Sequence, residues 1–174
     1  SINKAIKAIH KDTKFIIASP PQLHFKHCYE ISKNGYDIFI EKPSFLNENN
    51  FNNIKKLVKI NKTIVVENLM YQHNKMYKYF LNKWKIFKKN KTSIDIKFTF
   101  QNFTTNSFRD ENSIYSSCLY DVGCYPISFL VNLGIEISNV EILEYVFDEK
   151  NLKFIKFKIK KLYYDIMIEI GLTN

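Results

Sequence analysis

Three short clusters in the sequence hold residue types that could do chemistry. Glu41-Lys42-Pro43 sets a cation between a carboxylate and a proline that fixes the backbone behind it. In a partly dry cleft such a lysine could hold its charge against a hydroxyl or carbonyl oxygen. At an ordinary strand exit it is only a surface lysine. Asp121-x-Gly123-x-Tyr125 puts a carboxylate and a phenol at i and i+4, on one side of any helix that begins there. Together they could bind or deprotonate a substrate hydroxyl. A phenol ionises near pH ~10, so a base role requires a nearby cation. The competing reading is a helix-capping aspartate and a packed tyrosine. His24-x-x-His27-Cys28 offers three ligand types in one helical turn. No second cluster completes a four-ligand site, so these side chains are expected to cap or pack, and no metal is expected. No serine or cysteine has a neighbouring histidine and acid arranged for nucleophilic catalysis.

The elements that must carry these clusters are legible from period and punctuation. Residues 14–19 (KFIIAS) form a short apolar run ended by Pro20-Pro21, which predicts a buried strand and a sharp exit. Residues 24–34 place apolar side chains at 25, 28, 29 and 31 and close at Asn34-Gly35, a helix with a glycine cap. A second strand (37–40), a second helix (47–61) and a third strand (63–66) follow with short connections. Strand, helix, strand, helix, strand is the pattern of a parallel sheet. Its near-continuous apolar strands predict a sheet covered on both faces. Ligands of such sheets lie beyond the carboxyl ends of the strands. Here those ends are Ser19-Pro20-Pro21, Glu41-Lys42-Pro43 and Glu67-Asn68.

Beyond Met70 the pattern changes. A lysine-rich helix (74–89) leads to an alternating strand (93–100), a polar stretch (101–117) and a helix from about 121 to 133 ending at Gly134. Segments 140–147, 152–160 and 164–170 alternate again, with a turn expected at 148–151. The fold class read from this is α/β followed by α+β. Part of a Rossmann-type parallel sheet spans 1–70, and an α+β domain with a mostly antiparallel sheet spans 71–174.

Composition narrows the function. The 174 residues include only four glycines, none spaced for a phosphate-cradling loop. The three cysteines form no C-x-x-C pair and no disulfide framework. No apolar run reaches the ~18–20 residues of a membrane span, and the opening residues do not read as a secretory signal, so a cytoplasmic protein with no membrane partner is expected. Of the net charge of +9, residues 55–91 supply eleven lysines against Glu67 alone. Arg109 is the only arginine, which disfavours specific nucleic-acid recognition; a solvated lysine face is expected instead.

The segments FIIASPPQLHFKHCYEISKNGYDIFIEKP, VVENLMYQHN and FRDENSIYSSCLYDVGCYPISFLVNLG, in this order, resemble the glucose–fructose oxidoreductase / inositol dehydrogenase / MocA (Gfo/Idh/MocA) family over residues 14–134. The resemblance implies a dinucleotide-binding domain, then an α+β domain whose open sheet often mediates homo-oligomers. It implies hydride transfer between NAD or NADP and a carbinol carbon of a sugar, cyclitol, nucleotide sugar or dihydrodiol. By resemblance Lys42 is the catalytic lysine, with Pro43 after a cis peptide. Asp121 holds the substrate hydroxyl. Tyr125 replaces the histidine of many members and takes the hydroxyl proton, its pKa lowered by Lys42. Ser19, Pro20, His24, Glu41, Lys42, Pro43 and Asn68 match the nicotinamide side of the cofactor groove. Tyr71, Asp121 and Tyr125 face the substrate, with Asn68 and Tyr71 at the domain junction.

The sequence departs from the family pattern in three places. The family's opening strand, glycine-rich turn and helix are absent from it, and so is the segment that selects between the two cofactors. The small-residue run before the aspartate is Tyr115-Ser116-Ser117-Cys118. Residues 164–174 stop inside what reads as the second sheet. The chain is therefore expected to be a fragment of an oxidoreductase, inactive alone. The alternative is a non-catalytic, sugar- or nucleotide-binding regulatory module of the same fold. A pure scaffold needs none of Lys42, Asp121 and Tyr125, so the enzyme reading is preferred.

Overall fold

The structure, a computed structural model, describes residues 5–6, 8–101, 114–148 and 151–173. They fall into two compact units, Ser1–Leu69 and Met70–Asn174.

In the first unit, β1 (Phe15–Ile17), α1 (Pro21–Lys33), β2 (Ile38–Glu41), α2 (Glu48–Asn61) and β3 (Val65–Asn68) alternate along the chain. The three strands make a parallel sheet in the order β1-β2-β3, with Ile17 opposite Ile40 and Glu41 opposite Asn68. Helix α1 starts three residues earlier than the apolar spacing predicts. Pro21 sits at the head of the helix, where a missing N–H costs nothing and a fixed φ helps. Helix α2 begins where the predicted helix (47–61) does, capped by Asn47, whose side chain accepts from the Asn50 N–H at 2.9 Å.

The expectation of a sheet covered on both faces fails among the described residues. Ile17, Ile38 and Ile40 are buried in one cluster with Cys28 and Ile31 of α1 and Ile54 of α2. Ile16, in contrast, is 77% exposed, and Phe39 and Val66, its row-mates across the sheet, are exposed as well. The strand order advances in one direction, so crossovers of one hand place both helices on the same face.

The second unit opens with a 3₁₀ turn (Met70–His73) and α3 (Lys75–Phe87), followed by β4 (Thr92–Gln101). Then come a 3₁₀ turn (Ile114–Ser116), α4 (Cys118–Asp121) and α5 (Cys124–Asn132). Strands β5 (Val140–Asp148), β6 (Asn151–Lys160) and β7 (Tyr164–Thr173) complete a four-stranded sheet ordered β4-β7-β6-β5. Pairings β5–β6 and β6–β7 are antiparallel and β4 runs parallel to β7, which makes the sheet mostly antiparallel, as expected. Most of the polar stretch (102–113) and the centre of the 148–151 turn lie outside the described residues. Ile155, Phe157, Ile159, Ile166, Ile168 and Ile170 form the buried face, packed on Trp84, Cys118 and Leu130. The Trp84 ring N–H donates to the Leu133 carbonyl at 3.0 Å, tying α3 to the end of α5. No helix among the described residues is long and apolar enough to cross a membrane.

One carboxylate braces the entry to all three strands of the first sheet. Asp37, just ahead of β2, accepts from Lys14 Nζ at 2.9 Å before β1 and from the Ile64 N–H at 2.9 Å before β3. The Lys14 hydrogen bond first, and the Ile64 N–H second, hold its carboxyl below the ordinary aspartate value. A depressed folded-state pKa adds stability above the unfolded value, and that stability is lost as pH falls below about 4. Asp37→Asn is therefore expected to lower the denaturation midpoint at pH 7, with the gap to wild type narrowing at pH 3. A gap of equal size at both pH values would show that the carboxylate charge is not what braces the strands.

Candidate active site

At the carboxyl end of the first sheet, a buried histidine gathers the strand exits. His24, on the first turn of α1, is 1% exposed. Its Nε2 lies 2.7 Å from the Ser19 carbonyl after β1, and its Nδ1 lies 2.9 Å from the Pro43 carbonyl after β2. A neutral imidazole can donate to only one of these oxygens, whereas an imidazolium donates to both. The ring is thus turned inward and spent on backbone. It holds Ser19-Pro20 and Lys42-Pro43 in place rather than facing a groove, as the sequence match implied. Ser19 Oγ meets His27 Nδ1 at 3.0 Å, and the Cys28 thiol reaches only Ser32 Oγ, at 3.9 Å. Each side chain of the His24-His27-Cys28 cluster is therefore engaged separately.

Glu41 ends β2 directly opposite Asn68 of β3, and Asn68 Nδ2 donates to Glu41 Oε1 at 2.6 Å. The Ser44 N–H donates to Glu67 Oε1 at 2.8 Å, closing the loop after the cis Lys42-Pro43 peptide. Lys42 is half-buried and Pro43 buried, while Pro20 is exposed. Thus Ser19, Pro20, Glu41, Lys42, Pro43 and Asn68 lie together at the strand ends, held from beneath by His24.

In the second unit the predicted single helix over 121–133 is two helices. Pro126 lacks the N–H that would reach back to Val122, and its ring would crowd that carbonyl, so the helix must restart. It does so at Cys124, which leaves Pro126 in a first turn where no donor is needed. Asp121 ends α4 and Tyr125 lies in the first turn of α5, and neither the i, i+4 register nor a capping aspartate describes them. Asp121 is 2% exposed and Tyr125 half-buried. The Cys118 thiol beside them is pushed up to about 12 by burial, so it is a neutral packing group and no nucleophile.

Tyr125 is fixed by rings and by a directed chain of hydrogen bonds. Its ring stacks on Phe98 of β4 at 5.1 Å between centroids and meets the edge of Tyr71 at 6.2 Å. Ser128 Oγ donates to the Tyr125 carbonyl at 2.9 Å, so its one hydrogen is used. The Tyr71 hydroxyl, 2.9 Å away, must then donate to Ser128, while Asn132 Nδ2 donates to Tyr71 at 3.1 Å. The sequence reading missed Ser128, Asn132 and Phe98. The first two lie three and seven residues beyond Tyr125 on one face of α5, and Phe98 is the third inward position of an alternating strand, so helical and strand periods were the available signals.

Residues 7–69 match the oxidoreductase family with an NAD-binding Rossmann fold. Over these residues the chain is similar to the Gfo/Idh/MocA family. Solved structures extend the likeness of fold across both units. A scyllo-inositol dehydrogenase from Lactobacillus casei superposes with a TM-score of 0.82 at 15% identity, over 100% of this chain and 53% of that one. A mutant of KijD10, a 3-ketoreductase from Actinomadura kijaniata in complex with TDP-benzene and NADP, gives 0.80 at 13% identity, over 98% and 54%. The WlbA dehydrogenase from Thermus thermophilus, in complex with NAD and alpha-ketoglutarate, gives 0.71 at 15% identity, over 91% and 50%. No curated protein sequence matches the chain. The chain spans about half the length of these structures.

The turn between Asp121 and Tyr125 depends on one glycine. A Cβ on Gly123 would stand 2.5 Å from the Leu119 carbonyl oxygen and 2.9 Å from the Leu119 Cα, both backbone atoms that cannot swing away. Gly123→Ala is expected to cost about 1–3 kcal/mol, as overpacking of a tight site does. Urea denaturation of the variant is the check, and an unchanged midpoint would refute the close approach.

Proposed function

We propose that this chain supplies the nicotinamide-side and substrate-side residues of an NAD(P)-linked oxidoreductase acting on a carbinol carbon. The observation that carries the reading is the polar cluster at the carboxyl ends of a family-matched parallel sheet, where ligands of such sheets bind.

The residues present fit one end of such a cofactor. Half-buried Lys42, the Glu41–Asn68 pair and exposed Pro20 would hold the nicotinamide end, with the loop kept rigid by His24. None of the four glycines offers a turn for the pyrophosphate. When bound, the dinucleotide supplies the hydride acceptor or donor.

Oxidation removes a hydride from the carbinol carbon and a proton from its hydroxyl, leaving a carbonyl. Lys42 stabilises the negative charge that develops on that oxygen. Asp121 accepts the substrate hydroxyl's hydrogen bond and sets its orientation. Tyr125 takes the proton at its phenolate oxygen and becomes the neutral phenol, a step that needs the phenolate form at the start. NAD against NADP, the substrate and homo-oligomer formation belong to the same proposal, carried by the family likeness.

Binding of NADH and NADPH to the 174-residue chain, read by energy transfer from the tyrosines and Trp84, is the first test. Saturable binding supports a working groove; none up to millimolar cofactor would mean that the groove does not form in this chain. In a cofactor-competent form, Lys42→Ala and Asp121→Ala are each expected to cut turnover by more than about tenfold. Wild-type turnover in either variant would sink the assignment.

A further inference from the structure

The first unit carries a hollow that the strand-end cluster does not use. A cavity of about 290 Å³ lies between α2 and the sheet. Its apolar walls are Ile40 and Val65 from the strands, Phe45 from the loop ahead of α2, and Phe51, Ile54 and Val58 along one stripe of the helix. From Phe51 to Val58 that stripe covers two turns, about 10 Å. An apolar cavity of ~150 Å³ holds a benzene ring, so about 290 Å³ laid out along two turns takes an extended chain of roughly ten carbons. Asn61 turns one flank of α2 toward α1, where its Nδ2 donates to the Ser32 carbonyl at 2.9 Å. The other flank faces outward past β3, the last strand of the described sheet.

That outward flank is cationic. Asn52, Lys55, Lys56 and Lys59 line a second hollow of about 340 Å³, and Lys55 borders both. The Lys55 ammonium stands 5.8 Å from the centre of the Phe51 ring, at the junction of the two hollows. Residues 52–62 hold four lysines and no acid, so no i, i+3 or i, i+4 carboxylate within the helix neutralises them. Lys55 with Lys59 and Lys56 with Lys59 are like-charged neighbours, an arrangement that costs stability until an anion joins it. The negative group of the apolar cavity is Glu67, whose Oε1 accepts from the Ser44 N–H at 2.8 Å. Glu67 lies at the carboxyl end of β3, level with the start of α2, so it repels an anion toward the lysines further along the helix.

We propose that the two hollows together bind a single dissolved amphiphile. An unbranched alkyl chain of about ten carbons enters the apolar slot, and a carboxylate or phosphate head rests on Lys55, Lys56 and Lys59. Every residue of this site belongs to the first unit, and the proposal stands independently of the oxidoreductase reading.

Decanoate, decanol and decyltrimethylammonium, each below its micelle concentration, would be titrated into the 174-residue chain by calorimetry. The expected result is saturable decanoate binding, at least about tenfold tighter than either of the other two, and weakened by added salt. Lys55→Gln combined with Lys59→Gln is expected to remove that preference while leaving decanol binding unchanged. Val58→Phe, which fills the slot, is expected to weaken decanoate and decanol alike by at least about fivefold. If Val58→Phe alters the circular dichroism spectrum, the exposed lysine pair decides by itself. Decanol or the cationic amphiphile binding as tightly as decanoate overturns the proposal, as does a decanoate affinity indifferent to the lysine pair. Vesicles of phosphatidylcholine with phosphatidylserine form the remaining arm. Sedimentation with these vesicles but no saturable decanoate binding would assign the lysines to a lipid surface and overturn the single-molecule site, and so would the absence of binding to either.

Discussion

The first unit turns on a polar group buried where polar groups are costly. His24 lies beneath the strand ends with both ring nitrogens against carbonyl oxygens, one from each of two neighbouring strand exits. Backbone carbonyls leaving a sheet have lost their ladder partners and must find others or face water. A single imidazole ring lies against two of them, donating to one when neutral and to both when protonated, and ties together the loops that carry Ser19 and Lys42. The residues at these strand ends are thus held in place by the chain itself, and the histidine's contribution is position.

The second unit solves the same problem with a different device. Pro126 breaks a helix that sequence spacing alone would run straight, and the break buries Asp121 at the end of one short helix while Tyr125 starts the next. A half-buried tyrosine could swing, but stacking on Phe98 and the hydrogen-bond chain from Asn132 through Tyr71 to Ser128 restrict its ring and its backbone together. The Ser128 and Tyr71 hydroxyl hydrogens are both assigned, so the direction of the chain is fixed.

What the sequence reveals follows what is local. Strands 14–19 and 37–40, the helix over 47–61 and the position of Lys42 at a strand end depend on period and on neighbouring residues, and these were legible. The early start of α1 and the split of the 121–133 helix depend on proline geometry, where the i−4 carbonyl matters more than apolar spacing. The open face of the first sheet was not legible, because an apolar run such as Phe15-Ile16-Ile17 reads the same whether one helix layer covers it or two. The parallel β4–β7 pairing joins residues 72 positions apart, and no single-sequence period reports it.

On the second sheet, outward lysines are paired with outward carboxylates. On its outer face Glu169 sits between Lys156 at 2.8 Å and Lys97 at 3.5 Å, and Lys158 reaches Asp165 at 3.3 Å. The Lys156 hydrogen bond draws the Glu169 carboxyl below its ordinary value, and the same bond raises the lysine. Such solvent-facing pairs contribute little stability. Their effect is on register. Inward Ile166, Ile168 and Ile170 alternate with outward Asp165 and Glu169, so slipping β7 by one residue would bury two carboxylates and expose three isoleucines. Apolar burial supplies the force that holds the sheet together, and the charges ensure that only one alignment can use it. That alignment sets Phe98 across from Ile170 on the inward face, where its ring can meet Tyr125.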